Sequence, residues 1–292
     1  GTLNVIRYIH TQQVEQMDYD LCKLLPWINQ EKLDRSRLLA NGSACHRVVQ
    51  ETPHLVNWTF LIENPEAIDM ITQRVHDDPE SVNWCLLSRN PAAVSLLMAH
   101  KSRINWELFS ANTNAIKELE ENIEKVVWRT LSGNINAVHL LDQNQSKIHW
   151  RELSGNKNAM SLLMRNMDKI DWFMFSSNEN EHAVRFLELH PEYIVYEPLS
   201  CNRNAMHLIM QNLDKICWLR LSNNPSALGL LEHNQSKICT HYLSGNTGIF
   251  ERDYIKMSEI RTRIILEDLM KNTLHPRRIR RFLELGGDMD YF

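Results

Sequence analysis

Trp128-Arg129-Thr130-Leu131-Ser132-Gly133-Asn134-Ile135-Asn136-Ala137-Val138-His139-Leu140-Leu141, followed 22 residues after its tryptophan by Trp150, is the stretch that decides the fold. Trp84, Trp106, Trp128, Trp150 and Trp172 share that interval, and self-similarity at a fixed short period is the signature of a repeat architecture. Backwards the register reaches Trp58, with four extra residues before Trp84, and then Arg35. Forwards it reaches Tyr196, with two extra residues, then Trp218 and Thr240, giving ten units over 35–250.

Each unit reads as two short helices. Asn57, Asn83, Asn105 and Asp171 precede the aromatic, where a side-chain oxygen accepts from the free N–H groups of a helix start. The aromatic and the leucine or phenylalanine three later (Phe109, Leu131, Leu153, Phe175) share one face of this helix A. Six residues after the aromatic comes an asparagine: Asn41, Asn64, Asn90, Asn112, Asn134, Asn156, Asn178, Asn202, Asn224 and Asn246. Pro65, Pro91 and Pro225 follow it directly, and N-cap asparagine with proline at the first turn starts helix B. An alanine column (Ala93, Ala115, Ala137, Ala159) lets the helices approach closely, and leucine pairs such as Leu140-Leu141 fill the layers. Asn122, Asn144, Asn166, Asn212 and Asn234 end helix B, as residues that tolerate a left-handed cap, and Lys125, Lys147, Lys169, Lys215 and Lys237 stand ready to face its negative end.

Helices this short are marginal in water, so stability must come from stacking. The expected fold is all-α: an α-solenoid of about ten two-helix repeats, a rod or arc of about 80 to 100 Å at ordinary helix spacing. Residues 1–34 keep helical apolar spacing outside the register and read as an N-terminal helical cap; 251–292 read as a C-terminal one, with a second helix starting at His275-Pro276 and closed by Gly286-Gly287.

A formal net charge of -4 removes the long-range attraction on which non-specific nucleic-acid binding depends. The apolar runs fall far short of a membrane-spanning helix and there is no signal-peptide core. Six scattered cysteines without a C-x-x-C pair read as free thiols in a reducing compartment. Thirteen histidines form no metal-ligand spacing. The serine column (Ser88, Ser110, Ser132, Ser154, Ser176, Ser200, Ser222, Ser244) repeats too often for a nucleophile, which needs one activated serine with its base. No catalytic, cofactor or metal residues are expected. The asparagines Asn64 to Asn246 read as structural caps, paired because buried polar groups must be.

Shared positions serve packing, so binding should fall where units differ: the two residues after the aromatic and the exposed face of helix B. Phe173-Met174 is apolar where neighbouring units carry charge, and it stands close to the two-residue insertion. Phe173, Met174, Arg185 and His207 are therefore the expected partner contacts on the repeat, although repacking around the insertion also accounts for the outlier. Arg277, Arg278 and Arg281 belong to the one dense basic cluster and join the list, beside the plainer reading of a solvated cap face.

The unit Val127–Trp150 resembles the short tryptophan- and asparagine-rich repeats of giant nucleocytoplasmic large DNA viruses. The closing stretch from Glu267 through His275-Pro276-Arg277-Arg278 to Phe292 is similar to the end of many of those chains. The resemblance spans about 35 to 292. It implies a virion or host-cytoplasm setting and no reaction. The expected function is a non-enzymatic protein–protein interaction scaffold with viral capsid or host proteins as partners, as a minor structural component of the particle; the alternative is a nucleic-acid-binding solenoid in infected cells.

Overall fold

The computed structural model describes residues 22–41, 58–273 and 275–286. They fall into two compact units, Leu24–Phe250 and a second made of Gly1–Lys23 with Glu251–Phe292. The first carries the repeat and is all-α apart from residues at its edge.

Helix A starts at the aromatic and lasts four to six residues, from Trp58–Leu61 and Trp84–Leu87 to Trp218–Leu221 and Thr240–Ser244. Helix B follows, as in Ile116–Glu121 and Val138–Gln143, and a one-turn 3₁₀ helix such as Ile123–Lys125 closes the unit. Extra residues lengthen helix B. The four before Trp84 give Ile68–Asp77, and the two before Tyr196 give Glu181–Leu189, capped by Asn180. The core runs through every layer: Leu61, Leu87, Phe109, Leu131, Leu153, Phe175, Leu199 and Leu221 are fully buried, as is the alanine column.

Two polar ladders join the layers. In eight units the buried serine at the end of helix A donates to the carbonyl of its own aromatic position and accepts an N–H from the next unit. Ser110, for example, donates to Trp106 O at 2.7 Å and accepts from Val127 N at 3.0 Å. In the first two units Leu39 and Ile62 stand in its place. The buried asparagine six residues after the aromatic makes three bonds. Asn112 Oδ1 accepts from Asn114 N at 3.0 Å, while its Nδ2 donates to Ser88 O at 3.1 Å and Asn90 O at 2.9 Å in the preceding unit. Oδ1 takes the same N–H, two residues on, in every unit from Asn64 to Asn246.

Both ladders cross the seam between the tenth unit and the first. Asn41, in the first unit, donates to Asn246 O at 3.0 Å and Ser244 O at 3.4 Å in the tenth, and Ser244 Oγ accepts from Asp34 N at 2.7 Å. Helix Arg35–Ala40 packs against both Trp58–Leu61 and Thr240–Ser244. The repeat is a closed ring, not the open rod or arc its spacing suggests. The layer that an N-terminal cap would cover is covered by the tenth unit.

That tenth unit is built from both directions of the chain. After Asn246 it has only the 3₁₀ turn Thr247–Ile249 before the strand β2 (Phe250–Arg252). Its closing turn comes from the other side: Asn29-Gln30-Glu31-Lys32-Leu33 matches Asn234-Gln235-Ser236-Lys237-Ile238, and both segments hold a 3₁₀ turn, Gln30–Lys32 and Gln235–Lys237. Leu33 is buried like the equivalent Val126 and Ile148. Leu25 N donates to Ile249 O at 3.0 Å. The repeat therefore begins at Asn29 rather than Arg35. The strand β1 (Cys22–Leu24) pairs with β2 where helix was expected, and residues 1–21 of that expected helical cap lie outside the described residues.

The helix-B terminators depart from expectation too. Among the described residues no residue but glycine has positive φ, and Asn122 sits at φ -128°. Its Nδ2 instead donates to Glu118 O at 2.8 Å, so the side chain itself satisfies a carbonyl of the last turn.

The second unit contains the helices Tyr254–Thr273 and Pro276–Glu284. His275 Nδ1 accepts from Arg277 N at 3.3 Å, and Gly286, at φ 83°, follows Pro276–Glu284 in a conformation that glycine adopts without strain.

Candidate protein-binding surface

In a closed ring the more tightly spaced layer lies inside. Helices A of consecutive units pack on one another at six of the ten interfaces, from Trp106–Ser110 round to Tyr196–Leu199 and from Thr240–Ser244 through Arg35–Ala40 to Trp58–Leu61, whereas among the described residues no two helices B pack as closely, which places helices A on the inner wall. Small residues make that approach possible: a Cβ added at Gly155 would meet Met174 Cε at 3.2 Å. Ten helices at about 8–10 Å spacing make a ring about 25–30 Å across at the helix axes. Subtracting a helix diameter of about 10–12 Å leaves a central space about 13–20 Å wide.

The two residues after each aromatic face this wall, and they are the ones that vary. In chain order the first of each pair is Ser36, Thr59, Cys85, Glu107, Arg129, Arg151, Phe173, Glu197, Leu219 and His241. All but Ser36 are exposed. Neighbours pair loosely: Arg129 with Glu152 at 3.9 Å, Arg220 with Glu197 at 3.5 Å, and Arg151 over the Phe173 ring at 5.9 Å. Exposed pairs of this kind contribute little stability, so a partner can displace them cheaply.

Where the ring closes, the wall carries a denser cluster. Asp34 Oδ2 lies 2.7 Å from His241 Nδ1, Arg37 Nε donates to His241 Nε2 at 3.2 Å, and the Arg37 guanidinium sits 5.2 Å above the Tyr242 ring. Partial burial pushes the Asp34 carboxyl up, but the bond from His241 and those from the Arg37 and Ser36 amides outweigh it and hold it below the ordinary carboxylate range.

Phe173 and Met174 lie on the inner wall, Phe173 exposed and Met174 half-buried. Arg185 and His207 are exposed on helices B, the outer layer, so the ring does not bring these four together; His207 lies 4.0 Å from Glu188. Arg277, Arg278 and Arg281 are exposed on Pro276–Glu284 in the other unit. The insertion before Tyr196 does rebuild its surroundings: Trp172 is stacked on by Tyr193 at 4.0 Å and by Phe186 at 5.8 Å.

Two features escaped the sequence reading. A second asparagine ladder, two residues after the first, ties units together on the exposed side: Asn136 Nδ2 donates to Thr113 O at 2.9 Å and Asn158 to Ile135 O at 2.9 Å. The lysines assigned to helix ends instead cap the aromatics. Nζ of Lys125, Lys147, Lys169 and Lys237 stands 4.4–4.8 Å from the ring centre of Trp106, Trp128, Trp150 and Trp218, a cation–π geometry. The fixed interval of 19 residues between tryptophan and lysine was the available signal.

The described cysteines are free, and burial raises the Cys201 thiol above its ordinary range; Cys45 and Asn57 lie outside the described residues. Among the described residues no helix is long and apolar enough to cross a membrane. Comparison with protein-family models, curated proteins and solved structures finds no match for this chain.

Proposed function

We propose that the ring is a non-catalytic scaffold that holds a protein partner on its inner wall. The observation that carries this reading is the division of labour within the repeat. The recurring serines and asparagines are buried and hydrogen-bonded between layers, while the variable residues gather on one exposed wall. Charges of both signs interleaved with Phe173 and Leu219 suit a polypeptide better than a polyanion, which calls for a one-signed surface.

The setting that the repeat's resemblance implies, a large DNA virus particle or the infected cell, belongs to the same proposal. The test is affinity capture from virion and infected-cell extracts with the intact chain and with a Phe173→Ser/Leu219→Ser variant. Both substituted side chains are exposed, so folding should be retained. A partner held by the wild type and lost by the variant at unchanged melting temperature supports the reading; a partner held equally by both removes it from the inner wall.

The nucleic-acid reading rests on the exposed arginines of Pro276–Glu284. It requires low-salt affinity for DNA or RNA that falls when Arg277, Arg278 and Arg281 become glutamine.

A further inference from the structure

We propose that the tenth unit carries a vacant aromatic socket, and that it takes the aromatic side chain of a partner protein. In the units from Trp106 to Trp218 a ring occupies the start of helix A, under the residue 19 or so positions later. Lysine covers Trp106, Trp128, Trp150, Tyr196 and Trp218 at 4.4–5.0 Å. The residue ending helix B borders the ring as well: Tyr196 donates its hydroxyl to Asn212 Oδ1 at 3.0 Å.

In the tenth unit every part of that socket is present except the ring. Thr240 stands at the aromatic position. Lys32 and Asn29, brought in by the matching segment, stand at the lysine and asparagine positions, and Leu33, Ile238 and Leu243 supply the apolar floor. Together with Trp27 these residues line a cavity of about 220 Å³. An apolar cavity of about 150 Å³ holds benzene, so this one is large enough for a single flat ring. Lys32 makes no ion pair among the described residues, which leaves its ammonium available to a π face as in the filled sockets.

The occupant is thus specified by the copies of the same socket that this chain fills itself: a tryptophan, tyrosine or phenylalanine ring, stacked under Lys32. None of the variable pair residues of the inner wall lines the socket, so its failure would leave the scaffold reading intact.

The experiment uses 5-fluoroindole as the probe and follows its ¹⁹F resonance during titration with the intact chain. Saturable binding at one equivalent is expected, because the eight units from Trp58 to Trp218 hold rings of their own and Arg35 fills the aromatic position of the first. Thr240→Trp, which installs the residue the repeat carries elsewhere, should abolish it, and Lys32→Ala should weaken it several-fold. Should Thr240→Trp not fold, intermolecular Overhauser contacts from the probe to the Leu33 and Leu243 methyls of the unaltered chain serve instead. Absence of saturable binding, binding unchanged by Thr240→Trp, or contacts to other methyls would overturn the proposal.

Discussion

The backbone N–H of Asp34 donates to the hydroxyl of Ser244, 210 residues away in sequence, at 2.7 Å. Seven other pairs of adjacent units make the same bond, for instance Asp171 N to Ser154 Oγ at 3.0 Å. Equivalence of the two bonds is what makes the ring closed: the closure is a repeat interface like the others, formed without a linker across it.

Ser154→Ala and Ser244→Ala should therefore have similar costs. Each leaves a part-buried N–H without its acceptor and removes a neutral hydrogen bond to the carbonyl four residues back, Trp150 O or Thr240 O. Loss of a buried partner costs about 1–3 kcal/mol. Urea unfolding of the two variants checks this. A Ser154→Ala variant as stable as wild type would mean the serine column does not hold the layers together.

Asn156→Ala should cost more. Beyond the cap to Asn158 N, its Nδ2 serves two buried carbonyls, Ser132 O at 3.2 Å and Asn134 O at 3.0 Å. A cap alone is worth about 1 kcal/mol, and the stranded carbonyls bring the expectation to about 2–4 kcal/mol. Asn158→Ala, which loses one bond on the exposed side, should cost less than half as much. Equal costs for the two would show that the buried bonds add nothing to the cap.

Much of this was legible in the chain. The tryptophan interval defined the units, the asparagine column marked helix B, and the variable pairs after each aromatic marked the wall. Closure was not legible, because nothing local distinguishes a ring from an arc; curvature is set by small differences in spacing between two helical layers. The segment Asn29–Leu33 did match the repeat, yet without its aromatic the half-unit carried no tryptophan to align on. The lysines were misplaced because a helix terminus and a tryptophan face both attract a cation, and only the packing decides between them.

Closure should weaken in acid. The Asp34 carboxyl is held below its ordinary range in the folded ring, so its contribution is present above the unfolded pKa of about 3.9 and is lost as pH falls through the lower folded value. Asp34→Asn, which keeps a cap acceptor, should be less stable than wild type at neutral pH, with the difference shrinking below about pH 4. Chemical denaturation from pH 7 to pH 3 checks the window. A constant difference across it would mean the carboxylate charge is irrelevant to closure.

Tyr193 stands where other units place the lysine that covers their aromatic, and it stacks on Trp172 at an interplanar angle of 20°. A tyrosine here exchanges a cation–π contact for an offset aromatic stack, and both kinds of contact lie near about 0.5–1.5 kcal/mol. Tyr193→Lys should accordingly be tolerated within about 1 kcal/mol, since the ammonium can reach the Trp172 face as Lys169 reaches Trp150 at 4.6 Å. Tyr193→Ala removes the cover altogether, exposes the indole and should cost more than the lysine variant. Thermal unfolding ranks the three proteins, and tryptophan emission should shift to the red in the alanine variant alone. A lysine variant no better than alanine would show that the two-residue insertion has moved this position out of reach of the ring, and that the stack is particular to this unit rather than a substitute for the lysine.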